Sequence, residues 1–289
     1  MADFPQGFSL IEYMRGKKEL IEKALNHYLP PATERPDSLH KAMRHSIFAG
    51  GKRIRPIIAM AVAELLGVKE EDIIPTACAL EMTHTALLIL DDLPCMDDAT
   101  MRRHKPCCHK VYGEDIAILA SIGLIFKAFE ICDDIEVSRE IAKYLGSRGV
   151  TGGQAVDLEN MNKKAATETL NYIHSHKTGA LFVAVIKSVC RKAKAREEEE
   201  KALTEYAENL GLLFQIKDDI LDFESTPEEL GKDTRKDEKK NTFVSHYGIE
   251  KSRELMKECL WRCIKSLQYF KGDAEILAEI ARFVVDRRN

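Results

Sequence analysis

At 289 residues and 32.7 kDa, with 45% hydrophobic and 31% charged residues, the chain is long enough to bury a sizeable core. A net charge of −4 gives no electrostatic case for nucleic acid or an anionic membrane surface. Eight cysteines without a signal peptide at the start predict reduced thiols in a cytoplasmic protein.

Helical periodicity dominates, and no alternating strand pattern stands out, so an all-α chain in one domain (1–289) is expected. Phe8–Leu29 reads as an amphipathic helix ended by Pro30-Pro31. Ser38 is a plausible N-cap for a second helix, Leu39–Phe48. Gly50-Gly51 then breaks the chain before Lys52-Arg53-Ile54-Arg55-Pro56, which opens an apolar helix over Ile57–Leu66. Cations beside glycines at a helix entrance suit an anion; a solvated basic turn is the plainer alternative.

Ile73–Leu90 reads as a helix carrying His84 and running into Asp91-Asp92-Leu93-Pro94-Cys95-Met96-Asp97-Asp98. Pro94 should break it, letting Asp97 fold back toward Asp91. The basic stretch Arg102-Arg103 follows. Ile116–Ile131 is apolar nearly all round, too short in its uncharged part to span a bilayer, and so is expected as a central buried helix with no membrane insertion. Gly146–Gly153 reads as a glycine-rich joint leading to Gln154 and Asp157. Thr167–Val189 is expected as one helix bearing His174, Lys177 and Thr178. Leu203–Phe223 carries Gln215 and a second acidic cluster, in which the spacing of Asp218, Asp219 and Asp222 crowds three carboxylates on one helix side. Residues 231–243 form a charged loop suited to a lid, and helices over Glu250–Phe270 and Ala274–Arg288 close the chain. Two acidic clusters facing each other would make an oxygen-rich cage for hard divalent ions, Mg2+ being the ordinary choice.

DDLPCMD followed by Arg102-Arg103, the later DDILD and the early GGKRIRP resemble the trans (E-type) polyprenyl diphosphate synthases, in the short-chain branch that makes farnesyl or geranylgeranyl diphosphate. The likeness runs from about Leu20 to Arg288. It implies a single helical bundle around a central cavity, mostly homodimeric, joining isopentenyl diphosphate to an allylic diphosphate. Asp91, Asp92, Asp97, Asp218, Asp219 and Asp222 would then hold several Mg2+ ions. Lys177, Lys232 and Arg102 would add fixed cations for the allylic diphosphate. Lys52, Arg55, Arg103 and His84 would form a metal-free pocket for isopentenyl diphosphate. Thr178, Gln215 and Lys240 complete the implied substrate contacts. The released diphosphate takes the final proton, so no protein nucleophile is needed.

The chain departs from the family pattern in places. His104, Cys107 and Cys108 stand in RRHKPCC where RRGKPT is usual, Leu90 stands where His is common, and Ser121-Ile122 replaces Gly-Asp. Lys217 replaces an apolar residue, and the stretch from Lys232 to Thr242 is about two residues short of the pattern. A terpene cyclase would share the acidic motif but has no use for a second diphosphate pocket. A non-catalytic partner subunit would typically lack an acidic motif. Zinc on His104, Cys107, Cys108 and His109 is a third alternative. The resemblance also implies that bulk at Leu87, one turn below Asp91, and at Ala86 beside it sets product length: small Ala86 leaves room beyond fifteen carbons, and Leu87, larger than the Ser common there, limits growth near twenty, favouring geranylgeranyl diphosphate with farnesyl diphosphate close behind.

Overall fold

The computed structural model describes residues 9–161, 163, 165–224 and 241–287. Its helices are α1 (Leu10–Tyr28), α2 (Asp37–Ile47), α3 (Ile54–Leu65), α4 (Glu70–Asp91), α5 (Cys108–Tyr112), α6 (Glu114–Ile131) and α7 (Ile135–Leu145). There follow α8 (Val150–Glu159), α9 (Thr167–Ile173), a π-helical turn (His174–Gly179), α10 (Ala180–Ala193) and α11 (Glu197–Glu224). The chain closes with α12 (Phe243–Tyr247), α13 (Ile249–Ser266), a 3-10 turn (Leu267–Phe270) and α14 (Glu275–Asp286). The all-α expectation is met, with the helices arranged around one cavity.

The core helix is α4. Three acids in its first turn, Glu70, Glu71 and Asp72, complement the helix dipole. Beyond them it is apolar enough to pass for a membrane span, but 67% of its most apolar window is buried inside the protein. It packs most extensively on α6 and α3, while α10 bridges α7 and α11, and α11 lies along α13. These contacts bring the C-terminal end of α4, the start of α3, α8, the π turn and the second half of α11 around one cavity.

Several local expectations need correction. Helix α2 starts at Asp37 behind Pro36 and has no side-chain cap, so Ser38 lies inside it. The Gly146–Gly153 joint is half helix, since α8 runs through Gly152 and Gly153. The helix expected over Thr167–Val189 is interrupted by the π turn. Helix α6 is not buried all round: Ile118, Leu119, Ile122 and Phe126 form an exposed apolar stripe. A two-stranded hairpin, β1 (Met101–Arg102) with β2 (Lys105–Pro106), was not anticipated. Its turn residues Arg103 and His104 have φ of 54° and 60°, so His104 occupies a left-handed position where glycine carries no Cβ penalty. The expected lid, with Lys232 and Lys240, lies outside the described residues.

Candidate active site

The cavity encloses about 560 Å3 and has a basic corner, two acidic edges and an apolar wall. The basic corner is built from the loop before α3. Gly51 has φ +114°, and a Cβ there would stand 2.7 Å from the Arg103 guanidinium carbon. Only glycine therefore lets the Arg103 side chain lie across this loop, where its Nη1 donates to the Gly50 carbonyl at 2.7 Å. Arg53, itself at φ 54°, turns its side chain inward to Glu81 (2.7 Å) and the Ile47 carbonyl (2.5 Å), a wholly buried pair that fixes the loop. Arg55 points into the cavity, stacks 4.5 Å over Phe182 and donates to His84 Nε2 at 3.2 Å.

These cations are held under electrostatic stress. Burial, and next the neighbouring Arg287, push the Lys52 ammonium down to about 8. Burial pushes Arg55 down to about 10 and lowers Arg103. Burial and then Arg55 hold His84 well below the ordinary histidine range, so its neutral ring accepts the hydrogen bond from Arg55 Nη1. An anion entering this corner would relieve all four groups.

The first acidic edge forms where α4 ends. Asp97 N–H bonds back to the Asp91 carbonyl at 2.9 Å, so the loop folds back as expected. Asp91 lines the cavity. Asp92 is buried and faces away, paired with Arg102, whose Nε donates at 3.0 Å. On the second edge Asp218 lines the cavity and accepts from Arg287 at 2.6 Å. Asp219 is buried and accepts from Gln215 Nε2 (2.8 Å) and from Phe243 N–H (2.7 Å). Lys177 pairs with Asp157 at 2.7 Å, and Thr178 donates to Gln215 at 2.7 Å. The apolar wall includes Leu87, Leu88, Val150, Leu158 and Leu181.

The structure thus gathers Lys52, Arg55, His84, Asp91, Arg102, Arg103, Lys177, Thr178, Gln215 and Asp218 at one cavity. It does not gather the six expected metal ligands. Among the described residues no three His, Cys, Asp or Glu groups converge on a metal position, those of the zinc alternative included. Asp92 and Asp219 are spent on Arg102, Gln215 and the Phe243 amide, and Asp97 and Asp222 stand outside the lining. The donor set still fits Mg2+. Asp91 and Asp218 offer hard oxygens to one cavity, and Mg2+ typically takes one or two carboxylates plus substrate phosphates. Ala86 is also misplaced by the length argument. It is fully buried off the lining, and its carbonyl accepts from Ser121 of α6 at 2.9 Å.

Arg287, Glu81 and Phe214 were missed. Arg287 closes the cavity from the chain's end, stacking 3.9 Å over Phe214. Its only sequence signal is a basic doublet after a helix, which is common on any surface. Glu81 sits ten residues from the acidic motif and resembles no part of it.

Such a cavity, set in such a bundle, defines a transferase of prenyl groups. The polyprenyl synthetase family model matches residues 36–281, and the chain belongs to that family. It is 42% identical to the geranylgeranyl diphosphate synthase of Cyanophora paradoxa, an alignment covering 100% of each chain. Among solved structures, an FPP/GFPP synthase from Zymomonas mobilis superposes with a TM-score of 0.86 at 31% identity, covering 96% of this chain and 98% of that one. The geranyltransferase from Helicobacter pylori, complexed with magnesium and isoprenyl diphosphate, matches with a TM-score of 0.82 at 29% identity, covering 98% of each.

Proposed function

We propose that this short-chain prenyltransferase condenses isopentenyl diphosphate with dimethylallyl, geranyl and farnesyl diphosphates, with geranylgeranyl diphosphate the favoured product and farnesyl diphosphate close behind. One observation carries the reading: a corner of crowded, desolvated cations shares a cavity with the carboxylates Asp91 and Asp218 and an apolar wall. Lys52, Arg55, Arg103 and His84 suit the diphosphate of isopentenyl diphosphate, which must be held without ionising. Lys177 and Arg102 suit the allylic diphosphate at the opposite edge. Mg2+ held by Asp91 and Asp218 would supply the positive charge that stabilises the departing diphosphate. The allylic C1–O bond breaks with its electron pair leaving on diphosphate. The isopentenyl double bond then forms the new C–C bond, and the proton lost from the adjacent carbon passes to diphosphate.

The same proposal takes the chain as one domain that works as a homodimer in the cytoplasm. The exposed stripe on α6 supports a second copy, and the eight cysteines form no disulfide, as suits a reducing compartment. Incubation with labelled isopentenyl diphosphate, each allylic diphosphate and Mg2+, followed by chromatography, tests the activity. Labelled twenty-carbon product is expected with farnesyl diphosphate, and none should form when chelator removes the metal. Absence of any labelled prenyl product would sink the reading.

A further inference from the structure

Among the described residues three acids line the cavity. Asp91 and Asp218 form its two edges, and Glu81 stands apart from both, buried in the basic corner. Arg53 Nη1 donates to it at 2.7 Å. After burial, Glu81 is also the strongest influence on Arg55 and on Arg103, and it favours their charged forms. The prenyl-transfer chemistry itself makes no use of this carboxylate.

Its partner explains why it is there. The Arg53 side chain has no exposure, and its backbone holds a left-handed conformation that an arginine keeps only when its surroundings enforce it. Its Nη2 donates to the carbonyl of Ile47, the last residue of α2, which a helix end would otherwise leave unpaired. Its Nε lies 3.5 Å from the half-buried carboxylate of Glu22 on α1. Arg53 is thus drawn into the bundle, while Lys52 and Arg55 on either side of it border the cavity.

Helix α4 supplies both anchors of this loop. Glu81 and His84 are three residues apart and share a face, with Glu81 taking Arg53 and His84 taking Arg55 at 3.2 Å. Asp91 continues that face, about 15 Å along the axis from Glu81. The two contacts therefore set the height of the basic corner below the first acidic edge.

We propose that Glu81 is a positioning residue for isopentenyl diphosphate: acting through Arg53, it keeps Lys52 and Arg55 converged on one diphosphate. The inference rests on the prenyl-transfer reading of this site. Without the carboxylate a buried guanidinium loses its counter-charge, and Arg53 gains by turning toward the open cavity. That movement undoes the left-handed entrance to α3 and carries Lys52 and Arg55 apart. Lys177 on the π turn and Arg102 on β1 hang on other elements, so the allylic side is spared.

Glu81→Gln keeps an oxygen for Arg53 and removes the charge. KM for isopentenyl diphosphate should rise roughly 10- to 100-fold, with kcat and KM for farnesyl diphosphate little changed. The melting temperature should fall by about 10 °C, since a buried cation is left uncompensated. The double variant Arg53→Met, Glu81→Met removes the pair without altering net charge. Apolar side chains of similar length should restore most of the melting temperature, while KM for isopentenyl diphosphate stays raised. A pair serving only the fold would recover both together. Such joint recovery, an unchanged KM in Glu81→Gln, or an equal rise for the two substrates overturns the inference. If wild type forms no prenyl product, the reading of the whole site fails instead. Calorimetric binding of inorganic diphosphate without metal then tests Glu81 by itself: weaker binding in Glu81→Gln supports the positioning role, and equal binding overturns it.

Discussion

His174 shows how much a single residue can report. Its ring is buried, stacks 4.5 Å from the Phe243 ring and leaves Nε2 without a hydrogen bond. Burial pushes it down from the ordinary 6.5 to about 4, with Lys177 acting in the same direction and Asp157 opposing both. The folded state therefore resists protonation. Above pH 6.5 the residue leaves stability unaffected; as pH falls from 6.5 toward 4, the unfolded chain takes up the proton first and stability is lost. The full loss amounts to about 3 kcal/mol, reached near the folded value. His84 acts in the same direction, also through burial. Urea unfolding across this range should show the wild-type midpoint falling with acidity. His174→Phe, which keeps the stack on Phe243, should flatten much of that slope. An equally steep slope in the variant would show that the acid sensitivity lies elsewhere.

At the scale of elements, long helices with steady periodicity were legible, and short irregular pieces were not. α4 and α11 end in acids after apolar runs, so their role could be read directly from Asp91 and Asp218. The π turn could not, because an inserted residue in a helix leaves the hydrophobic pattern of α9 and α10 intact on either side. Two-residue strands carry no alternation to detect, and an apolar α6 reads the same whether its second face meets core or solvent. The carboxylates were legible as a pattern but not in their employment. Nothing in the spacing tells that Asp92 turns to Arg102 while its neighbour Asp91 faces the cavity. Gly153, which the sequence offered only as part of a glycine-rich joint, lies inside α8 where that helix crosses the π turn. Gly153→Ala would place Cβ 2.8 Å from His176 C as well as against Lys177 N, and neither backbone atom can yield cheaply. A loss of about 1–3 kcal/mol in stability is expected, together with a raised KM for the allylic diphosphate and little change for isopentenyl diphosphate. Thermal melts and steady-state kinetics check both, and equal effects on the two substrates would mean that the π turn does not serve the allylic side.

For the molecule as a whole, the cavity's shape should set product length. The part of α4 that lines it runs Glu81, His84, Leu87, Leu88, Leu90 and Asp91, so descending from the acidic motif the wall is apolar for one turn and then polar. A growing hydrocarbon tail has no reason to continue past Leu87 toward His84 and Glu81. It is better accommodated across the bundle, against Val150 and Leu158 of α8 and Leu181 of α10. Leu87 stands where these directions divide, and Ala86 does not, being packed on α6 with no exposure at all. Ala86→Phe should therefore overpack the α4–α6 interface, at about 1–3 kcal/mol, before it affects length. Leu87 is the informative position. Leu87→Phe should shorten the main product by one five-carbon unit, and Leu87→Ala should let a fraction grow one unit longer. Both effects come from the space that side chain leaves beside the acidic motif. Chromatography of the products from farnesyl and isopentenyl diphosphates, run with both variants and wild type, measures this directly. If neither variant moves the distribution, the limit on chain growth lies on another wall, with α8 the next to alter.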